Sequence, residues 1–253
     1  MAVADKYEGE PIVFIAVNSG NDKVSVSKYL KKNKIGWPTI VDYDRAFEKM
    51  ADVGEVSLRN IWQFATVNAE GEIRRSANDP EKAAQRVLKD AKWNVDLKLI
   101  PPALQAEWKA VEFGDYSKAA RGLKRASNSS KPELKAGADV LMDYVSEKMN
   151  GLVTEADEAR ESDEVWIAYK KYSQAKEVFA GYDLPEEALE HWKELKSNKK
   201  VKSEISAEKQ LASAGRIAAK SGVRRVIGKL KKLIEQHPDT EAAAVAQKVL
   251  DEN

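Results

Sequence analysis

Two consecutive prolines, Pro101 and Pro102, separate stretches of different hydrophobic periodicity. Proline fixes φ and has no N–H, so neither residue can continue a sheet ladder or a helix interior, and the pair marks a boundary. Before it, short apolar runs alternate with helical stripes; after it, strand signals disappear. The pattern predicts an α/β domain over residues 1–95 and an all-α domain over residues 96–253, with the break between Trp93 and Pro102.

Composition removes several classes of chemistry. The chain holds no cysteine, which excludes disulfides, thiolate nucleophiles and cysteine-based metal sites. Its imidazoles, His191 and His237, lie 46 positions apart without ligand spacing, so neither a structural metal nor a cofactor is expected. Forty-two basic and 41 acidic side chains leave a net charge of +1, too small a field to draw nucleic acid or an anionic membrane. The longest purely apolar run, Ile12 to Val17, falls far short of the roughly 20 residues of a spanning helix. The opening Met-Ala-Val-Ala-Asp-Lys lacks a signal-peptide core, so export by that route is not expected.

In the first domain, the continuous apolar character of Pro11 to Asn18 predicts a buried strand. A helix from about Lys23 to Asn33 follows, then a short strand over Trp37–Asp42. Asp42 or Asp44 is placed to cap a helix that carries Phe47, Met50 and Ala51 on one face. Ile61 to Val67 runs into Asn68-Ala69-Glu70-Gly71 and resumes at Ile73, which reads as a β-hairpin with glycine at a positive-φ position. Asp79 followed by Pro80 is a helix start, with Ala83, Ala84, Val87, Leu88 and Ala91 as the inward stripe.

The stretches VFIAVNSGNDKVSVSKYLKKNKIGWPTIVDYD and FATVNAEGEI resemble the C-terminal part of redoxin-type, thioredoxin-like domains over about Glu10 to Trp93. The resemblance implies an incomplete thioredoxin-like fold of about four strands with flanking helices, in a family of thiol-disulfide oxidoreductases often exported from the cell. Where that family carries a strand and a Cys-x-x-Cys helix, this chain has a polar decapeptide. The family's cis-proline position falls on Trp62, with no proline between Pro38 and Pro80. A non-proline cis bond costs about 2.5–4 kcal/mol, so a trans bond is expected there. Without the missing strand, Ile12–Val17 is expected to lie antiparallel beside Ile61–Val67, or else to leave exposed edges.

Beyond Pro102, Leu104, Trp108 and Val111 share one helical face, and Gly114-Asp115 ends it. Tyr116, Ala119, Ala120, Leu123 and Ala126 form the next stripe, where FGDYSKAARGLKRA resembles the second half of a tetratricopeptide repeat. Pro132 opens a long helix through Leu134, Ala138, Leu141, Val145, Met149 and Leu152, followed by a solvated acidic stretch from Glu155 to Glu164. Helices are then expected over Val165–Phe179, from Pro185 through Leu195, over Val223–Ile234, and from His237-Pro238-Asp239-Thr240 to Leu250. Echoes spaced by 56 and about 51 residues are too long for a 34-residue array, which leaves irregular, tetratricopeptide-like helical hairpins in a short solenoid.

Candidate contact residues are Trp62, Trp166, Tyr169 and Tyr172, although the helical spacing of the last three equally suits a core. His191 shows no positioned partner for base catalysis. The basic runs at Lys196–Lys202 and at Arg224, Arg225, Lys229, Lys231 and Lys232 lack interleaved aromatics, and the second is the solvated side of an amphipathic helix. The functional expectation is a thioredoxin-like scaffold or interaction module without catalytic thiols, whose partner is a protein or peptide. The alternative is the C-terminal portion of a thiol-disulfide oxidoreductase whose Cys-x-x-Cys half is missing from this sequence.

Overall fold

The computed structural model describes residues 2–7, 9–43, 45–57, 59–60, 63–68, 70–76 and 79–252. Contacts divide the chain into two units, Met1–Trp93 and Asn94–Asn253.

The first unit contains α1 (Ala2–Lys6), β1 (Ala16–Ser19), α2 (Lys23–Lys32), β2 (Thr39–Asp42), α3 (Ala46–Met50), β3 (Phe64–Val67), β4 (Ile73–Ser76) and α4 (Pro80–Leu88). Side-chain caps fix its helix starts. The Asp22 carboxylate accepts from the N–H groups of Val24 and Ser25 at 2.9 and 3.1 Å, and Asp79 accepts from Glu81 and Lys82 at 3.1 Å each. Asp42, buried at the end of β2, reaches forward and accepts from Phe47 and Glu48, both at 3.0 Å. Gly71 takes φ +82° in the turn between β3 and β4, where its N–H donates to Asn68 O.

The strand pairing overturns the thioredoxin-like expectation. The chain is about 65% helical, and its described residues form two sheets of two strands each. β1 pairs in parallel with β2, from Ala16 opposite Thr39 to Ser19 opposite Asp42, and β3 pairs antiparallel with β4, from Phe64 opposite Ser76 to Val67 opposite Ile73. Among the described residues, β1 and β3 do not pair with each other. Each strand has taken the partner nearest in sequence, where the entropy of closing the loop is smallest.

The run Pro11–Asn18 is also not a buried strand. Exposed Val13 (37%), Ile15 (53%) and Val17 (40%) alternate with half-buried Phe14, Ala16 and Asn18, so only one face is covered. Phe14 sits on that covered face between the rings of Tyr7 and Trp37, at 6.1 and 6.3 Å. Ile61, Trp62 and Asp44 lie outside the described residues, and with them the peptide bond at the cis-proline position.

The second unit opens with two 3-10 turns, Leu97–Leu99 and Pro102–Leu104. Eight helices follow: α5 (Gln105–Glu112), α6 (Tyr116–Ser127), α7 (Pro132–Glu161), α8 (Val165–Val178), α9 (Glu186–Ser197), α10 (Lys199–Ser221), α11 (Ile227–Gln236) and α12 (Glu241–Asp251). Sequential neighbours pack from α5 to α9; α10 then meets α8, α9, α11 and α12. Leu123, Ala138, Leu141, Val145, Ala156, Ala168 and Ala175 are wholly buried. Full burial of a Leu or Val side chain contributes about 1.5–3 kcal/mol, so this file of residues is the main source of the unit's stability.

Two stretches depart from the sequence reading. The acidic segment after Glu155 continues α7, because Ala156 and Ala159 keep a buried edge while Glu155, Glu158 and Glu161 stay exposed. α10 is a helix where none was expected; its buried positions are Val201, Glu204, Ala207 and Ala214, and Leu211 and Ile217 pack partly buried against the same core as α11 and α12. The tetratricopeptide-like expectation finds no support: a repeat of about 34 residues holds two helices and their turns, whereas α7 alone has 30 residues.

Gly137 explains how the prolines dock within this unit. A Cβ there would lie 2.4 Å from Pro101 Cδ, so only glycine lets α7 approach the ring.

Candidate functional site

α8 places Trp166, Tyr169, Ser173 and Lys176 at successive spacings of three, four and three, which is one face of a helix. α9 brings Trp192 against that face. The rings of Trp166 and Tyr169 are 5.7 Å apart and inclined by 15°, and those of Tyr169 and Trp192 are 6.3 Å apart and inclined by 14°. The Trp192 indole N–H donates to Ser173 Oγ at 2.9 Å, which fixes the ring's orientation. Trp166 is 8% exposed, whereas Tyr169 and Trp192 are half-buried and reach the surface.

Cations surround this stack. Lys176 Nζ lies 4.1 Å and Lys196 Nζ 4.7 Å from the Trp192 ring centroid, and Lys170 Nζ is 5.3 Å from that of Trp166. Lys170 also pairs with Glu241 on α12 at 2.8 Å. That pairing holds the Glu241 carboxyl below the usual carboxylate range.

Tyr172 belongs to a different environment. It is 1% exposed, and its hydroxyl donates to Asp157 of α7 and lies 3.2 Å from His191 Nδ1. His191 Nδ1 is in turn 3.3 Å from Asp157 Oδ1. Burial first, and the Asp157 carboxylate second, push the Tyr172 phenol far above its ordinary value. The phenol therefore stays protonated at neutral pH and serves as a buried donor rather than a base or a contact residue. His191 has the partner that its sequence context did not reveal, since Asp157 lies two helices earlier.

His237 joins α10 to the end of α11. Its Nδ1 is 2.8 Å from Ser203 Oγ, and its Nε2 faces the Gln210 amide nitrogen at 3.2 Å. With an amide N–H directed at Nε2, the proton sits on Nδ1 and is donated to the serine. In that tautomer the imidazole cannot deprotonate Ser203, so the pair is a structural link. Beside it, buried Glu204 accepts the Glu241 N–H at 3.0 and 3.2 Å, while Thr240 accepts from Ala243 at 3.1 Å, and together they cap α12. Burial raises the Glu204 carboxyl above its ordinary value.

Among the described residues, no group of three or more His, Asp or Glu side chains could hold a metal ion. A cavity of about 160 Å³ between the β3–β4 hairpin and α4 is lined by Thr66, Asn68, Arg74 and Arg86 among others. Ligand pockets run to about 300–1,000 Å³. No helix among the described residues is long and apolar enough to cross a membrane.

Of the four contact residues expected from sequence, Trp166 and Tyr169 therefore share one stack, Tyr172 is core, and Trp62 lies outside the described residues. Trp192, from the helix expected between Pro185 and Leu195, joins Tyr169 in bringing the stack to the surface. No known family, curated protein or solved structure matches the chain.

Proposed function

We propose that the chain is a protein-binding module without a catalytic role, which engages its partner through the α8–α9 face. The observation that carries this reading is the half-exposed Tyr169–Trp192 stack, held rigid by the Ser173 hydrogen bond and bordered by Lys176 and Lys196. Rigid aromatics with a partly exposed edge lose little conformational entropy on binding and dominate interface energies. Thiol-disulfide exchange needs sulfur, and the chain has none. The oxidoreductase-fragment reading depended on the redoxin sheet and is not carried forward.

The test is capture on the immobilised full chain, compared with Tyr169→Ala and Trp192→Ala, with circular dichroism to confirm that both variants fold. Proteins retained by the wild type should be lost from both variants. Identical retention on all three would remove this face as the binding site.

A further inference from the structure

We infer that the Trp192 stack takes a short acidic segment of a partner protein, whose carboxylates bridge Lys176 and Lys196. This rests on the protein-binding reading and names the chemistry of the partner. Both ammonium groups lie within 5 Å of one ring centroid, so they are at most about 9 Å apart, comparable to the Debye length at physiological ionic strength. Neither has a carboxylate within ion-pair distance among the described residues, whereas Lys170 and Lys171 close by are each paired. Two like charges thus share one half-buried ring without a direct ion-pair partner among the described residues.

The adjoining chain adds to the same field. α10 begins with Lys199, Lys200 and Lys202 and has no acidic residue in its first turn, so its cations run against the helix dipole as well.

The geometry favours a short acidic peptide over a nucleic acid. The rings already stack on one another and on lysine ammonium groups, which leaves no free platform for bases. Exposed Glu177, Glu187, Glu190 and Glu194 on the same two helices limit the occupant to a short segment with few carboxylates.

The experiment is fluorescence anisotropy with the full chain and three labelled probes: a short peptide of alternating glutamate and leucine, its lysine-for-glutamate counterpart, and oligothymidylate. The acidic peptide should bind, weaken with added salt, and lose about tenfold in affinity in the Lys176→Gln/Lys196→Gln double variant, the size expected for two partly exposed ion pairs. A Lys229→Gln/Lys231→Gln control removes equal charge on α11 and should leave binding unchanged. Equal weakening by the control, equal binding of the lysine peptide, or tighter binding of oligothymidylate would each overturn the inference. If the acidic peptide does not bind while protein capture still depends on Trp192, the occupant is wrong and the interaction face stands. If capture is also independent of Trp192, both fall.

Discussion

The run Ile12–Val17, which leads into β1 in the first unit, and the middle of α7 in the second are both rich in branched apolar residues, yet Ile15 and Val17 remain exposed while Leu141 and Val145 are wholly buried. The difference lies in where each element finds its complement. A helix satisfies its own backbone and needs only another apolar stripe, which α6 and α8 supply as immediate neighbours in sequence. A strand satisfies neither its edges nor its faces alone, and β1 obtains one edge from β2 and cover on one side. Apolar content is therefore a poor guide to burial when the covering element must come from a distance.

The largest expected effect comes from truncating the two regions in parallel. Leu141→Ala should cost about 2–5 kcal/mol, because the site is closed on all sides and leaves a cavity, whereas Val17→Ala should cost no more than about 0.5 kcal/mol. Urea unfolding followed by circular dichroism measures both. Equal losses would mean that the strand face is covered and that the contrast is false.

Within α7 a sharper comparison is available. Gly137→Ala pushes a methyl into the rigid Pro101 ring and should destabilise by about 1–3 kcal/mol. Gly151→Ala, with nothing within 4 Å of the added atom, should stabilise by about 0.5–1 kcal/mol through helix propensity. The two melting temperatures should move in opposite directions.

The smallest effect is pH dependence. Asp22 and Asp79 accept hydrogen bonds at helix starts and are held below their ordinary value, so their contribution is present above that value and disappears as pH falls through the depressed one. Glu204 behaves in the opposite sense. Its carboxyl is raised above the usual 4.5, so the native state holds the proton more tightly and stability falls as pH rises from there. Glu204→Gln, which keeps a carbonyl for the Glu241 N–H, should flatten that decline, and its advantage over the wild type should grow from about pH 4.5 towards neutrality. Urea midpoints that track the wild type across this range would show that Glu204 is not desolvated.

The parts of this arrangement visible in sequence are those with a local signal. Asp79-Pro80 and Thr240 mark helix starts through cap chemistry alone, and the apolar stripe of α8 has the helical period. α10 was harder to read, because most of its buried positions are alanines and a glutamate, while its larger residues Ile205, Leu211 and Ile217 are only partly buried. The extension of α7 was hidden in the same way, by Ala156 and Ala159 among carboxylates. The pairing of β1 with β2 rather than β3 is a choice among partners, which neither strand's own residues encode. For the candidate site, Trp166 and Tyr169 could be put on one face by spacing, but the separation of Tyr172 from them depends on Asp157 and His191, contributed by two other helices.

The length of α7 has a consequence for how the second unit opens. At about 1.5 Å per residue its 30 residues make a rod of roughly 45 Å, and both α6 and α8 lean on it. Were it two separate helices, the α5–α6 end could fray while α8 and α9 stayed closed. With one continuous rod between them, amide protons of α6 and α8 should exchange with deuterium at similar, slow rates through a shared opening event, rather than layer by layer. The ring stack on α8 is thereby anchored to this continuous rod, which should hold its shape between encounters.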